Sequence, residues 1–192
     1  MTKVILASAS PRRKQLLEQA GLANFIVRPA EGPELLADAH LPPGEAVTAI
    51  ALAKCREVAD KAGPDALVLA ADTMVYLDGE LLGKPKDEEE AVHMLTRLAG
   101  AKHTVYTGVA LYLNGETRTG VEMTDVFFRP LTQREIRAYV ATGESMDKAG
   151  SYGMQGLASV FVRRIEGDVY TVIGLPLCRV AELAQEMGVR LF

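Results

Sequence analysis

The first half of the chain alternates between short apolar runs and segments in which apolar residues recur every three or four positions. The run 4–7 (Val-Ile-Leu-Ala) has no polar interruption, which is typical of a strand buried on both faces. Leu16, Leu17 and Ala20 recur at helical spacing before Gly21, which predicts that a helix ends there. The elements predicted in this half are strand 3–7, helix 11–20, strand 25–28, helix 45–62 and the buried strand 66–71.

Hairpins dominate the second half of the chain. Asp78-Gly79 and Asn114-Gly115 are dipeptides that favour tight hairpin turns, and each lies between two strand-like segments. Asp87 opens a helix, and Thr132 with Glu135 three residues later forms a capping box that opens another. Together the two halves predict an α/β protein with a twisted mixed sheet flanked by helices. The elements predicted in this half are strands 74–77, 80–82, 103–113, 116–128, 159–165 and 169–173, and helices 87–98, 132–142 and 176–187.

The stretch Ser8-Ala9-Ser10-Pro11-Arg12-Arg13 combines the chemistry of a helix start with an unusual pair of cations. Ser10 is a good N-cap and Pro11 suits the first helical position. Arg12 and Arg13 lie in the first turn, where the partial positive charge of a helix normally attracts acidic residues. Backbone N–H groups, hydroxyls and two guanidinium groups together suit a phosphate. The alternative is a capped helix whose arginines face solvent.

Lys54 lies in the middle of the apolar face of helix 45–62, between Val47 and Val58 on the helical wheel. A lysine at such a position either extends to the edge of the apolar surface or meets a negative partner in a cleft. The arginine pair upstream favours the second interpretation.

Asp72 and Thr73 follow the predicted strand 66–71 directly. The carboxyl ends of strands are where open α/β sheets place ligands. An aspartate there can hold a divalent metal or accept a proton from an attacking water. The alternative role is a helix or turn cap, but no convincing helix begins at Thr73.

Two further motifs are suggestive, although neither is specific alone. Gly83-Lys84-Pro85 allows close approach of the backbone to a ligand but lacks the rest of a P-loop. The segment 147–156 spaces three glycines three residues apart and ends in Gln155-Gly156, whose amide could read the edge of a nucleobase. Such glycine spacing also occurs in inert loops. The acidic run 87–90 is interpreted as charge that complements a helix start rather than as a metal site.

Composition narrows the class of protein. At 192 residues and 48% hydrophobic content the chain can form one domain with a full core. A net charge of −4 argues against general nucleic-acid binding. Cys55 and Cys178 lie far apart without metal-ligand spacing, which favours reduced thiols. The chain shows neither a signal-peptide pattern nor an apolar stretch long enough to span a membrane, so we expect a cytoplasmic protein.

Several short motifs, taken together and in order, closely resemble the Maf family of nucleotide pyrophosphatases over almost the whole chain. The resemblance implies a single domain, residues 1–192, with two lobes around a central cleft and an elongated sheet related to that of the inosine triphosphate pyrophosphatases. It also implies hydrolysis of a nucleoside triphosphate to the monophosphate and pyrophosphate. The motifs are residues 6–13 (Leu-Ala-Ser-Ala-Ser-Pro-Arg-Arg), 71–73 (Ala-Asp-Thr), 83–85 (Gly-Lys-Pro), 147–150 (Asp-Lys-Ala-Gly), 153–156 (Gly-Met-Gln-Gly) and 174–176 (Gly-Leu-Pro).

Within the family, the Asp-Thr pair and the glutamine of the glycine loop resemble the branch that acts on dTTP and UTP. The resemblance implies a divalent cation, Mg²⁺ or Mn²⁺, held by Glu34 and Asp72. The chain departs from the family in having Pro33 where an acidic residue is common, which leaves Glu31 as the nearby substitute. The implied roles are proton acceptor for Asp72, specificity for Arg12, Thr73 and Gln155, and phosphate binding for Ser8, Arg13, Lys54 and Lys84.

For a dTTP and UTP pyrophosphatase, the implied role is the removal of unwanted nucleotides. The resemblance leaves alternatives to that role. One is the same chemistry on 7-methyl-GTP or a modified purine. Another is a nucleotide-sensing regulator of septum formation without turnover, since the family has a link to cell-division arrest. The resemblance is also compatible with a homodimer.

Overall fold

A computed structural model describes residues 2–32, 38, 40–63 and 65–192. Over these residues the chain forms seven strands and six α-helices, which confirms the predicted α/β class. The strands are β1 (Lys3–Leu6), β2 (Phe25–Val27), β3 (Ala66–Leu77), β4 (Glu80–Leu82), β5 (Lys102–Leu113), β6 (Glu116–Phe128) and β7 (Val162–Glu166). The helices are α1 (Pro11–Gln19), α2 (Pro43–Ala59), α3 (Glu88–Leu98), α4 (Gln133–Val140), α5 (Val169–Ile173) and α6 (Leu177–Glu186).

The strands form one mixed sheet in the order β2-β1-β3-β5-β6-β7, with β4 paired to β3. Strand β1 runs parallel to both of its neighbours, with Val4 opposite Phe25 and Leu67. Helices α1 and α2 lie in the connections β1–β2 and β2–β3, as parallel pairing requires. Strands β3 and β4, and strands β6 and β7, are antiparallel.

The chain divides into two compact units, each with its own apolar core. Unit 1 consists of Met1–Asp72, Thr107–Glu122 and Gly174–Phe192, and unit 2 of Thr73–Tyr106 and Met123–Ile173. The core of unit 1 includes Ile5, Ala51, Cys55, Val68 and Ala110. The core of unit 2 includes Leu95, Leu98, Val126, Phe128 and Ile136.

Local chemistry sets the predicted turns and helix starts. Asp78 and Gly79 have φ values of +53° and +80°, and Asn114 and Gly115 have +49° and +87°. Positive φ at both central residues is what a tight hairpin turn of the favoured type requires, so both turn predictions are confirmed. The helix starts are confirmed as well: the side chains of Ser10, Asp87 and Thr132 accept hydrogen bonds from the backbone N–H groups of Arg13, Glu90 and Glu135.

The prediction of a strand at 169–173 is wrong, because this segment forms helix α5. The carboxylate of Asp168 accepts hydrogen bonds from the backbone N–H groups of Tyr170 at 3.0 Å and Thr171 at 3.1 Å. This cap starts a helical turn and outweighs the strand preference of the β-branched residues.

Two strand boundaries also differ from the prediction. The predicted strands 66–71 and 74–77 are one continuous strand, β3, which passes through Asp72 and Thr73. The predicted strand 159–165 begins as a 3-10 helix over Leu157–Phe161 and becomes strand β7 only at Val162. None of the helices in the described parts of the chain is long and apolar enough to cross a membrane.

Candidate functional site

Hydrogen bonds hold the side chain of Arg13 beside the first turn of α1. Its Nη1 donates to the Oγ of Ser8 at 3.0 Å, and its Nε donates to the carbonyl oxygen of Gly174 at 2.8 Å. Burial lowers the pKa of the Arg13 guanidinium, while the negative charge of Asp72 acts in the opposite direction. Arg13 therefore does not simply extend into solvent, and Arg12 beside it is half-buried.

Lys54 meets a negative partner, as the favoured interpretation of its position predicts. Its Nζ lies 2.6 Å from the Oδ1 of Asp72, and the two side chains are only 25% and 17% exposed. Partial burial strengthens this ion pair relative to one in open solvent, because water screens it less. The pair brings together a carboxylate and a cation from positions that are 18 residues apart in the sequence.

The close approach of α2 to the sheet positions Lys54, and it depends on a glycine that sequence reasoning did not single out. A Cβ atom on Gly108 of β5 would lie 2.7 Å from the backbone nitrogen of Thr48 in α2. Real Cβ atoms essentially never approach backbone that closely. Only glycine therefore permits this packing of helix on strand.

Asp72 lies within β3 rather than after the end of a strand, which corrects the sequence interpretation. The first six residues of β3 are buried, and both Asp72 and Thr73 are partly exposed. The two predicted site residues thus lie where the strand becomes partly exposed, although the strand itself continues to Leu77.

Backbone hydrogen bonds hold the loop that precedes the predicted metal ligand Glu34, which itself lies outside the described residues. The carboxylate of Glu57 in α2 accepts from the N–H groups of Glu31 at 2.7 Å and Gly32 at 3.1 Å. These hydrogen bonds lower the pKa of Glu57, and the bond from Glu31 has the larger effect of the two. The Glu31 carboxylate, the substitute ligand considered above, instead pairs with Lys61 at 3.1 Å.

Within unit 2, the motif 83–85 and the glycine loop 147–156 are joined by a backbone hydrogen bond. The N–H of Gly150 donates to the carbonyl oxygen of Gly83 at 3.1 Å. Gly150 has a φ of +68°, and a Cβ there would press against the side chain of Val75 at 3.0 Å. Lys84 follows directly and is exposed, as is Gln155 at the far end of the loop. The two weak sequence signals thus belong to one local structure.

The glycine loop also contacts residues that the sequence motifs did not include. The Oε2 of Glu144 accepts from the N–H of Leu157 at 3.0 Å, and the hydroxyl of Tyr139 donates to its Oε1 at 3.1 Å. No sequence pattern indicated Glu144, because one of its contacts is to a backbone N–H group and the other is to a tyrosine hydroxyl, which forms no charge pair with it.

The donor chemistry at Asp72 suits a magnesium or manganese ion, because hard cations prefer carboxylate oxygens. The hydrogen bond from Lys54 uses one of the two carboxylate oxygens, Oδ1. Over the part of the chain that the structure describes, His, Cys, Asp and Glu form no group of three or more that could hold a metal. Glu34, the second ligand that the sequence predicts for such a cation, lies outside the described residues.

Comparison with known proteins gives a consistent result. A curated relative, the dTTP/UTP pyrophosphatase of Moorella thermoacetica, is 51% identical over 192 residues, which cover 98% of this chain and 97% of the relative. The protein of the same name from Bacillus cereus is 50% identical, and the match covers 96% of this chain and 96% of the relative. The one from Symbiobacterium thermophilum is 47% identical, and the match covers 100% of this chain and 97% of the relative.

A solved structure described as a nucleoside-triphosphatase / dITP/XTP pyrophosphatase from Mycobacterium abscessus is 16% identical, with a TM-score of 0.48 over 97% of each chain. That score is too low to support a conclusion. The profile of a family described as Maf-like protein, in contrast, matches residues 3–187, nearly the full length of the sequence. The chain therefore belongs to the Maf-like protein family.

Proposed function

We propose that this protein hydrolyses dTTP and UTP to the monophosphate and pyrophosphate, acting on the cytoplasmic nucleotide pool. The observation that carries the proposal is the half-buried ion pair between Asp72 and Lys54, in the same unit as the hydrogen-bonded Arg13. The relatives named dTTP/UTP pyrophosphatase, with sequence identities of 51% and 50% over nearly the whole chain, support the choice of substrate.

In this proposal the cations and hydroxyls of the site bind the triphosphate. Arg13 and Ser8 already hydrogen-bond each other, so their donors are held in place before a phosphate arrives. Positive charge positioned in advance stabilises the negative charge that develops on a pyrophosphate leaving group. The residues assigned to the phosphates are Ser8, Arg13, Lys54 and Lys84.

Asp72 is assigned the role of proton acceptor for the attacking water. An aspartate carboxylate can accept a proton from an attacking water, and the Nζ of Lys54 lies 2.6 Å from the Oδ1 of Asp72. A divalent cation bound by Asp72 and Glu34 would supply further positive charge against the phosphates.

The choice of base is assigned to Arg12, Thr73 and Gln155. The amide of Gln155 offers both a donor and an acceptor, which is what the edge of a pyrimidine ring requires. A site that hydrogen-bonds one base edge rejects a base whose donors and acceptors are reversed, because buried polar groups then lose their partners.

The test is pyrophosphate release with Mg²⁺ or Mn²⁺ from dTTP, UTP, CTP, GTP and 7-methyl-GTP, for the parent protein and for Asp72→Asn. We expect turnover on dTTP and UTP that falls by about 10²–10³ or more in the variant. Asp125→Asn is the matched control, because Asp125 also pairs with a lysine, Lys102, at 2.9 Å but is assigned no part in the reaction.

Near-parental turnover of Asp72→Asn would remove Asp72 from the mechanism. Preference for 7-methyl-GTP or GTP would replace the pyrimidine assignment with the purine one. Nucleotide binding without turnover on any of the five substrates would favour the sensor of septum formation.

A further inference from the structure

Gln155 occupies the tip of a tight turn whose two ends are held from outside the loop. The N–H of Gly156 donates to the carbonyl oxygen of Gly153 at 3.0 Å, which makes Gln155 the third residue of a four-residue turn. Gly153 is buried and Gln155 is exposed. The direction in which the Gln155 side chain leaves the backbone therefore depends on how the ends of this turn are fixed.

One carboxylate fixes both ends. The Oε2 of Glu144 accepts from the N–H of Leu157, immediately after the turn, at 3.0 Å. Its Oε1 accepts from the hydroxyl of Tyr139 at 3.1 Å, and that hydroxyl in turn accepts from the N–H of Gly153, the first residue of the turn, at 3.3 Å. We call this arrangement of Glu144, Tyr139, Gly153 and Leu157 the carboxylate brace.

The brace is anchored in the core of unit 2. Tyr139 is only 5% exposed, and its ring packs edge-on against Phe161 with centroids 5.2 Å apart. Burial and the neighbouring Glu144 raise the pKa of the Tyr139 hydroxyl, which therefore stays protonated and able to donate. The Nζ of Lys148 holds the backbone of Glu144 by donating to its carbonyl oxygen at 2.6 Å.

The glycines of the loop leave room for the brace. A Cβ on Gly156 would overlap the Glu144 carboxylate, whose carbon would lie 2.5 Å away. A Cβ on Gly153 would lie 2.7 Å from the Cε of Lys148. The φ of Gly156 is negative, at −106°, and the Glu144 carboxylate occupies the space that a side chain there would take.

We propose that Glu144 is a positioning residue for base recognition, holding Gln155 in the direction that reads the base. The inference rests on the proposed function, in which Gln155 contacts the pyrimidine. Glu144 touches neither the phosphates nor the attacking water in this scheme. Loss of the brace is therefore expected to change KM and base selectivity, while kcat at saturating UTP stays nearly constant.

The experiment measures kcat and KM for UTP and CTP in Glu144→Ala, Glu144→Gln and Tyr139→Phe. We expect Glu144→Ala to raise KM for UTP about tenfold and reduce the UTP-to-CTP ratio of kcat/KM by a similar factor, as loss of a few hydrogen bonds predicts. Glu144→Gln retains an oxygen for Leu157 and an amide that can donate to Tyr139, so we expect it to restore most of the ratio. Tyr139→Phe is expected to follow Glu144→Ala.

Thr132→Ala is the control for a purely structural effect. It removes the cap of α4, the helix that carries Tyr139, without touching the brace. Its melting temperature should fall while the UTP-to-CTP ratio stays at the parental value. An unchanged ratio in Glu144→Ala, or an equal loss of ratio in Thr132→Ala, would overturn the inference.

Gln155→Ala separates this inference from the proposed function. Suppose that Gln155→Ala abolishes the preference for UTP over CTP while the brace variants keep it. In that case the positioning role is wrong and base reading by Gln155 stands. If Gln155→Ala leaves the ratio unchanged, both are wrong. Should Glu144→Ala fail to fold, Gly156→Ala tests the same contact by displacing the carboxylate, and a parental ratio there would equally contradict the inference.

Discussion

Mild acid should destabilise this protein through one buried imidazole. His103 of β5 is 1% exposed and packs edge-on against Phe128 and Tyr152, with centroids 5.0 Å and 5.4 Å away. Its Nε2 lies 2.8 Å from the hydroxyl of Tyr152, whereas Nδ1 has no hydrogen-bond partner among the residues that the structure describes. Burial lowers the pKa of His103 from 6.5 to about 4, although the negative charge of Asp125 acts in the opposite direction.

The sign of the effect follows from which state takes up the proton first. As pH falls below 6.5 the imidazole of the unfolded chain is protonated, whereas the folded one stays neutral until about pH 4. Protons therefore favour unfolding across this window, by up to about 1.4 kcal/mol per pH unit. Between pH 7 and pH 5 the free energy of unfolding should decrease by about 2 kcal/mol from His103 alone.

Urea unfolding at pH 7, 6 and 5 measures this loss, with His103→Gln as the variant that cannot titrate there. Glutamine can still hydrogen-bond the Tyr152 hydroxyl, and we expect the variant to lose much less stability than the parent between pH 7 and 5. Titration of Asp125 does not contribute between pH 7 and 5, because its pKa is lowered further below this range. The largest cause is the hydrogen bond from Thr104. Equal pH dependence in parent and variant would refute the reasoning, whatever their stabilities at pH 7.

Two further predictions concern packing and thiol chemistry. Gly108→Ala should lower the free energy of unfolding by about 1–3 kcal/mol, since its Cβ would overlap the backbone of α2. Gly63→Ala is the control, because no atom of the described residues lies within 4 Å of a Cβ there. Unchanged stability of Gly108→Ala in urea unfolding would contradict the close approach. Ellman's reagent should modify Cys178, which is exposed, and spare Cys55, whose pKa burial raises to about 12. Rapid reaction of two thiols in the folded protein would be incompatible with this.

The fold was predictable where local chemistry decides the structure. Asp78-Gly79 and Asn114-Gly115 strongly favour tight turns, because their residues readily adopt positive φ. In the Thr132–Glu135 capping box, each side chain accepts a hydrogen bond from the backbone N–H group of the other residue. Segment 169–173 shows the limit, because its β-branched residues favour a strand and a single aspartate cap before it decides for a helix.

The candidate site was predictable only in part. Helical periodicity placed Lys54 on an apolar face, and the arginine pair upstream favoured a negative partner, but nothing in the spacing identified Asp72 as that partner. Glu144 and Glu57 escaped notice for another reason. Both bind backbone N–H groups, which almost every residue offers, so the sequence does not identify these backbone partners.

The hydrogen bond from Arg13 to Gly174 has a consequence for the order of events during synthesis. It joins residues 161 positions apart, and it lies in a unit whose first segment ends at Asp72 and whose last begins at Gly174. About 100 residues separate those two points, and a ribosome needs roughly 5–20 s to add them. For that time the amino-terminal segment leaves the ribosome with Arg13 lacking its backbone acceptor. The anchored arginine is thus among the last features to form, so a nascent chain stalled before Gly174 should lack it.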